Sequence, residues 1–426
     1  MRLWIVLACF VLVLPVLSSC RSADATAERI TIPPCQIAVT ALPERDERIE
    51  RLQQDIRLGK NPSVKLEQLG WTFVEKARAS NDPGFFKLAE QCAECLLSRD
   101  QEMRSAALLL RGHTLQNLHR FKEAESIARE LTEKRGLPVD FGLLGDALLE
   151  QGKLDEATTA YQRMMNLKPG PHAYARASQV RWLRGDLTGA KEMARESARS
   201  SGTGDKQSTA WAFTRLALLE LQSGDLKKAE HASNAAIETI KDYAPAVLAH
   251  GRILYAQGRR EAALEDFKHA AALNPLPESL WWLADALREA GREDEARAAE
   301  VKITSTGRLL DPRTYSLYLA TRASDTPLAL ALAEEEMNVR QDVFTLDALA
   351  FAQSQAGKSE AASTTITRAL TEGTEDGRLF LHAALVARRN GDSRLFRQYR
   401  SKTFALKQTL LPSELALLSH PAKAGH

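Results

Sequence analysis

Aromatic residues are scarce in this chain, at 6% of its 426 positions, and charge of either sign is not in excess. Lys and Arg number 57 against 55 Asp and Glu, a net charge of +2. A balance this even argues against broad nucleic-acid binding, which wants a concentrated basic surface. It also supplies no polybasic patch for a membrane. Only five cysteines are present, and Cys92 and Cys95 form the single C-x-x-C. Leu96 follows that pair where a c-type haem site needs His, and a zinc site would need two more ligands nearby. No P-loop, G-x-S-x-G or H-E-x-x-H occurs. The nine histidines are scattered, with His420 and His426 in the tail. Glu334, Glu335 and Glu336, like Arg388 and Arg389, read as solvated helix faces. The expectation is a chain with no catalytic site, no cofactor and no metal. The one continuous apolar run, residues 3–17, is short for a membrane span of about 20 residues.

What the chain does have is a glycine that returns. Gly152, Gly185, Gly224, Gly258, Gly291, Gly357 and Gly391 each close an apolar helical stretch, at steps of 33, 39, 34, 33, 66 and 34 residues. The long step is twice 33, so a degenerate unit is expected between Gly291 and Gly357. The stretch 309–340 lacks a turn glycine, residues 323–327 take its place, and its first helix looks short. The step of 39 comes from a polar insert at 200–205. A fixed period of this size means stacked supersecondary units rather than one globular core.

The clearest unit runs over residues 141–169. Leu144, Gly145 and Leu148 share one helical face. Gly152 stops the first helix, because glycine takes the left-handed conformation without a Cβ clash. Asp155 reads as the start signal of a second helix. Ala157 marks a close helix approach, Tyr161 follows on the same face, and Pro169 ends the unit.

These marks at these offsets resemble the tetratricopeptide repeat. Copies with the same marks fall at Gly112, Ala124 and Pro138, where His119 replaces the turn glycine. Others fall at Trp182, Gly185 and Ala190, at Gly224 and Ala229, at Gly251, Gly258, Ala263 and Phe267, at Gly291 and Ala296, and at Gly357 and Ala362. An earlier, longer-turned pair surrounds Leu69, Gly70 and Ala89. The resemblance implies an all-α fold: an α-solenoid of nine to ten helical hairpins in a right-handed superhelix. The expected organisation is a leader at 1–19, a flexible tether at 20–45, the solenoid at 46–412, and a capping segment and tail at 413–426.

At the N-terminus, Arg2 precedes the apolar run, and Leu17-Ser18-Ser19-Cys20 resembles a bacterial lipobox. In that class the leader is cut before the cysteine and Cys20 carries a lipid. Removing residues 1–19 removes only Arg2, leaving 56 basic residues (57 − 1) against 55 acidic. The implied location is the bacterial cell envelope, lipid-anchored, at the outer membrane and facing the periplasm. Three cysteines remain: Cys35, Cys92 and Cys95. They read as small buried side chains or as a structural disulfide of an oxidising compartment, with Cys35 paired to Cys92 or Cys95.

The resemblance also implies where partners bind, since the first helix of each pair lines the concave face. The inward offsets fall on His113, Asp146, Trp182, Trp211, Arg252, Tyr255, Trp281, Asp285, Arg288 and Phe351, together with Gln116, Glu150, Gln179 and Leu218. Exposed aromatics in such a row suit peptide anchoring. The family's Lys-Asn-Arg set for a partner's C-terminal carboxylate is missing, with Asp146, Gln179 and Leu218 where asparagines would stand. Two functions follow as expectations. One is a lipid-anchored scaffold that binds envelope proteins or peptides in its groove. The alternative is a carbohydrate-binding accessory module, with the aromatics stacked on sugars.

Overall fold

The periodic glycines do end helices, and the chain is all-α. A computed structural model describes residues 34–40, 45–80, 82–202 and 205–419. The proposed leader, Cys20 and residues 203–204 of the polar insert lie outside the described residues, as do Asn81, His420 and His426. Two helices lead in, α1 (Pro34–Val39) and α2 (Glu47–Arg57). Ten hairpins then stack in chain order. The first five are α3 (Pro62–Ser80) with α4 (Gly84–Arg99), α5 (Arg104–Asn117) with α6 (Phe121–Lys134), α7 (Pro138–Glu150) with α8 (Leu154–Leu167), α9 (Pro171–Leu183) with α10 (Leu187–Ser200), and α11 (Lys206–Gln222) with α12 (Leu226–Thr239). The next five are α13 (Ala244–Ala256) with α14 (Arg260–Leu273), α15 (Pro277–Glu289) with α16 (Glu293–Leu310), α17 (Pro312–Arg322) with α18 (Thr326–Met337), α19 (Val343–Gln355) with α20 (Ser359–Leu370), and α21 (Gly377–Arg389) with α22 (Ser393–Ala405). A single 3-10 turn (Lys407–Thr409) and the short α23 (Pro412–Ala416) finish the described chain.

Each hairpin closes for a local reason. The seven recurring glycines all sit in the left-handed region. At the α5–α6 and α17–α18 turns, which lack that glycine, the chain accepts the same conformation with a side chain: His119 at φ 60° and Ala323 at φ 49°. Ala323 is thus the turn residue of the degenerate unit expected between Gly291 and Gly357, and α17 is short there, at 11 residues. Inside the hairpins, small residues let helices approach. A Cβ on Gly251 would lie 2.8 Å from the Phe267 ring, and one on Gly145 would run into Tyr161. Aspartates cap many of the helices by accepting backbone N–H bonds, among them Asp186, Asp225 and Asp392. Asp155 is not such a cap. Helix α8 begins one residue earlier, at Leu154, and Asp155 lies in its first turn, where a negative charge meets the positive end of the helix dipole.

Two features depart from the expected outline. Within the stretch read as a tether, Pro34–Val39 is helical, and Cys35 is disulfide-bonded to Cys95 on α4. Arg57 and Gln53 of α2 donate to the Val39 and Thr40 carbonyls at 3.0 and 2.7 Å. The second departure is larger. The C-terminal segment does not cap the outer end of the last hairpin; it turns back into the concave face. Leu410, Leu411 and Leu418 are buried in one cluster with Trp281, Leu287 and Tyr318. A second cluster joins Leu144, Leu148 and Leu183 to Val343, Leu346 and Leu379. The last repeats therefore pack against the early and middle ones, and the solenoid closes on itself.

Candidate functional site

The interior of the superhelix is built by the first helices α7, α9, α11 and α13, and the C-terminal repeats close over it. Three places carry the closure. The α18–α19 connection docks on the α7–α8 turn: the Gln341 N–H donates to the Glu150 carbonyl at 3.0 Å, and Arg340 pairs with the Glu150 carboxylate at 3.1 Å. The α20–α21 connection docks on the α9–α10 turn. There the Thr374 hydroxyl donates to the Leu183 carbonyl at 2.7 Å, and Arg184 pairs with Glu372 at 2.8 Å. The 3-10 turn and α23 dock on α11, α13 and α15. Gln408 donates to the Gln222 carbonyl at 2.9 Å, and Arg252 to the Thr409 carbonyl at 3.1 Å. Trp281 donates from its indole N–H to Ser413 Oγ at 3.0 Å, and the Ser413 N–H donates to Asp285 at 2.9 Å. Glu414, fully buried, accepts from the Leu411 N–H at 2.9 Å and pairs with Arg378.

This closure corrects the expected groove. Trp281 and Phe351 are 0% exposed and Asp285 is 3% exposed, so none of the three is presented to a partner. Trp281 and Asp285 are covered by the chain's own α23, through Ser413. Phe351 is covered by α21, with its ring 4.0 Å from that of His382 and parallel to it. The His382 Nδ1 faces both Asp347 carboxylate oxygens at 2.9 Å. Tyr255 donates to Glu289 at 2.6 Å and stacks under Arg260, and Arg288 pairs with Glu300 at 3.0 Å. Neither lines the two spaces described next.

The remaining predicted residues do surround space. Glu150, Gln179, Trp182, Leu218 and Arg252 line a central cavity of about 770 Å³. Trp182 donates to Gln222 at 2.8 Å and stacks on Phe344 of α19 at 5.4 Å between ring centres. A smaller recess of about 320 Å³ is lined by Arg78, His113, Gln116, His119, Asp146 and Arg176, among others. Asp146 is committed to the protein itself, accepting from Tyr161 and Arg176 at 2.8 Å each. Trp211 lines neither space and is 41% exposed on α11.

Two histidines of the recess are held neutral. His113 Nε2 lies 2.6 Å from the Arg78 guanidinium, which can only donate, so that nitrogen accepts. Burial and then the Arg78 charge push His113 down to about 4. His119 Nε2 accepts in the same way from Arg340 at 2.8 Å, and burial and then Arg340 push it down to about 4. Its outer edge is exposed, so the Arg340 contact is the firmer of those two causes. His119 therefore does two things that its place in the repeat did not announce. It replaces the turn glycine, and it joins α5 to the C-terminal repeats.

Sequence reading missed Arg215, Gln222, Arg313, Arg340, Phe344 and Arg378, all of which line the central cavity. For Arg215 a signal existed: it lies three residues, close to one helical turn, before Leu218, the inward offset of the same helix. Gln222 ends α11, and the others belong to the C-terminal repeats, whose fold-back no local pattern announces. Cys92 is free and buried, and burial pushes its thiol up.

A tetratricopeptide-repeat family model matches residues 248–303, which span α13–α16. No curated protein sequence matches the chain. Among solved structures, the human IFIT1 dimer with PPP-AAAA is similar at 11% identity and TM-score 0.47, over 88% of this chain and 93% of that one. PilF of Pseudomonas aeruginosa is similar at 13% identity and TM-score 0.42, over 51% of this chain and 98% of that one. MamA is similar at 20% identity and TM-score 0.32, over 38% and 93% respectively. The matched model and the paired-helix period that continues to both sides of it identify the chain as a member of the tetratricopeptide-repeat proteins, scaffolds for protein–protein interaction on a fold that is generally non-catalytic.

Proposed function

We propose that this chain is a lipid-anchored scaffold of the bacterial cell envelope that holds partner proteins on the part of its concave side left open by its own C-terminus. The observation that carries the reading is Trp211. It is a large aromatic, 41% exposed, one turn before the cavity-lining Arg215 on the same face of α11. An exposed indole beside charged groups is what a peptide anchor requires. Arg78, His172, Arg176 and Asp205 lie near enough to influence one another's protonation, with Asp205 at the start of the same helix. That surface suits an extended or helical peptide of mixed charge.

Two features support the envelope location. Residues 3–20 carry an apolar run ending in Leu-Ser-Ser-Cys, and a lipid on Cys20 would anchor the chain outside the cytoplasm. The Cys35–Cys95 disulfide suits an oxidising compartment. The carbohydrate reading loses support, because it needed a continuous aromatic row and Trp281 and Phe351 are buried.

The test is crosslinking in living cells with C-terminally tagged protein, comparing the natural chain with Trp211→Ala and Cys20→Ser. Loss of a defined set of envelope proteins in both variants, at unchanged thermal stability, is the expected outcome. Capture that survives Trp211→Ala removes this surface from the mechanism. Capture that survives Cys20→Ser removes the anchor.

A further inference from the structure

The central cavity holds two partly buried cations without counter-ions. Three other guanidiniums on its wall are matched: Arg313 faces Asp342 at 3.2 Å, Arg340 faces Glu150 at 3.1 Å, and Arg378 faces Glu278 at 3.4 Å; a further one, Arg368 on α20, is exposed to solvent. Arg215 on α11 and Arg252 on α13 differ. Arg215 donates one bond, to Gln179 at 2.7 Å, and lies over the Trp182 ring. Arg252 donates one bond, to the Thr409 carbonyl, and lies over the Trp282 ring. Its Nε–H is buried and has no acceptor. Among the described residues, no carboxylate comes within ion-pairing distance of either. Burial accordingly pulls both guanidiniums down from their usual range, and for Arg215 it is the sole cause. Unpaired charge of this kind is costly in a protein interior, and two such groups, from the first helices of neighbouring repeats, face one space.

The size and the remaining walls narrow what that space would take. A volume of about 770 Å³ lies within the roughly 300–1,000 Å³ of small-molecule sites. Trp182, Phe344, Leu218 and Leu317 give it apolar wall. Asp311 and Asp376 also face it, each with its carboxylate spent on a helix N-terminus. Those acids, with Glu278, would repel a multiply charged anion. A single negative charge on an apolar body meets every wall.

We propose that this cavity is a binding site for a small monocarboxylate with an aromatic or aliphatic body, its carboxylate taken by Arg215 and Arg252 and its body packed against Trp182. The site goes beyond partner binding around Trp211. Such a ligand would touch the early repeats through Arg215 and Trp182 and the late repeats through Phe344, so it would stabilise the closed superhelix by mass action.

The experiment titrates the purified full chain with phenylacetate, indole-3-acetate and octanoate, with inorganic phosphate as the comparison. The readouts are the melting temperature and, for the two non-indole acids, intrinsic tryptophan fluorescence. The expected result is saturable binding of at least one monocarboxylate with a rise in Tm. Arg215→Gln should bind it about tenfold more weakly, the weight of one charged hydrogen bond, while its own Tm is unchanged or raised by removal of an unpaired charge. If Arg215→Gln does not fold, Arg215→Lys serves, because it keeps the charge but loses the fork that a carboxylate needs. The proposal is overturned if no monocarboxylate saturates at millimolar concentration. It is equally overturned if phosphate binds as well as the carboxylates, or if the Arg215 variant binds as the natural chain does.

Discussion

The turns at Gly152 and Gly185 and those at Gly224, Gly258 and Gly291 carry the same residue in the same left-handed conformation, yet they stand in different surroundings. Beyond the last three there is open space. A methyl group on Gly152 would instead run into the Gln341 carbonyl oxygen, and one on Gly185 would come within 2.6 Å of the Gly373 carbonyl oxygen. One sequence signal therefore serves two purposes. Everywhere it reverses the chain. At the α7–α8 and α9–α10 turns it also gives the C-terminal repeats a flat seat. The open turns belong to a repeating array in which each unit contacts its neighbours, and the covered turns belong to a closure between units almost 200 residues apart.

The contrast is sharpest in the tryptophans. Trp281, beneath α23, should cost about 3–5 kcal/mol when changed to Ala, the usual price of an emptied aromatic site. Trp211→Ala should stay within about 0.5 kcal/mol. Urea unfolding of the two variants measures the difference, and equal losses would mean that α23 does not rest on the concave face. Glycine variants come next. Gly258→Ala pays only for a left-handed alanine, about 1 kcal/mol. Gly152→Ala adds overpacking of about 1–3 kcal/mol. Similar melting temperatures for the two would contradict docking at that turn.

Acid should act on the closure as well. The folded pKa values of His113 and His119 lie at about 4, below the usual 6.5. The unfolded chain therefore binds more protons between those limits, and stability falls as the pH drops from about 6.5 towards 4. A protonated His119 cannot accept from Arg340. His119→Gly keeps the turn without strain and removes the titrating group, so its Tm should fall less steeply over that window than the natural chain's. Parallel Tm–pH curves would remove His119 from the clasp. The smallest effect belongs to Arg184→Ala. Its partners Asp155 and Glu372 are at least partly exposed, so the loss should be about 0–1 kcal/mol and smaller still in high salt. A larger, salt-resistant loss would show that this pair carries more of the closure than the buried contacts beside it.

The repeat, the hairpins and most of the turns were legible because their causes are local. A glycine at the end of an apolar face, an alanine five residues later and, in some units, a proline beyond them act within one hairpin. Even the degenerate unit could be placed, since its two neighbours fixed its length and Ala323 needed only to adopt φ 49°. Whether the first-helix residues would stay open to a partner could not be read: Trp182 and Arg252 line the central cavity, whereas Trp281 and Asp285 are buried. Pairing Cys35 with Cys95 rather than Cys92 was also beyond local reading, because both lie on α4 and only the direction from which α1 approaches separates them.

By itself, then, the sequence determined an all-α array of hairpins and its period, since 3.6-residue periodicity and turn chemistry are properties of short segments. Only the tertiary structure decided that the array closes. The contacts that close it, such as Thr374 on Leu183 and Ser413 on Asp285, join residues 191 and 128 positions apart. Each repeat adds a small rotation, and their sum over ten hairpins brings the C-terminal segment onto the concave face. No single repeat encodes that sum.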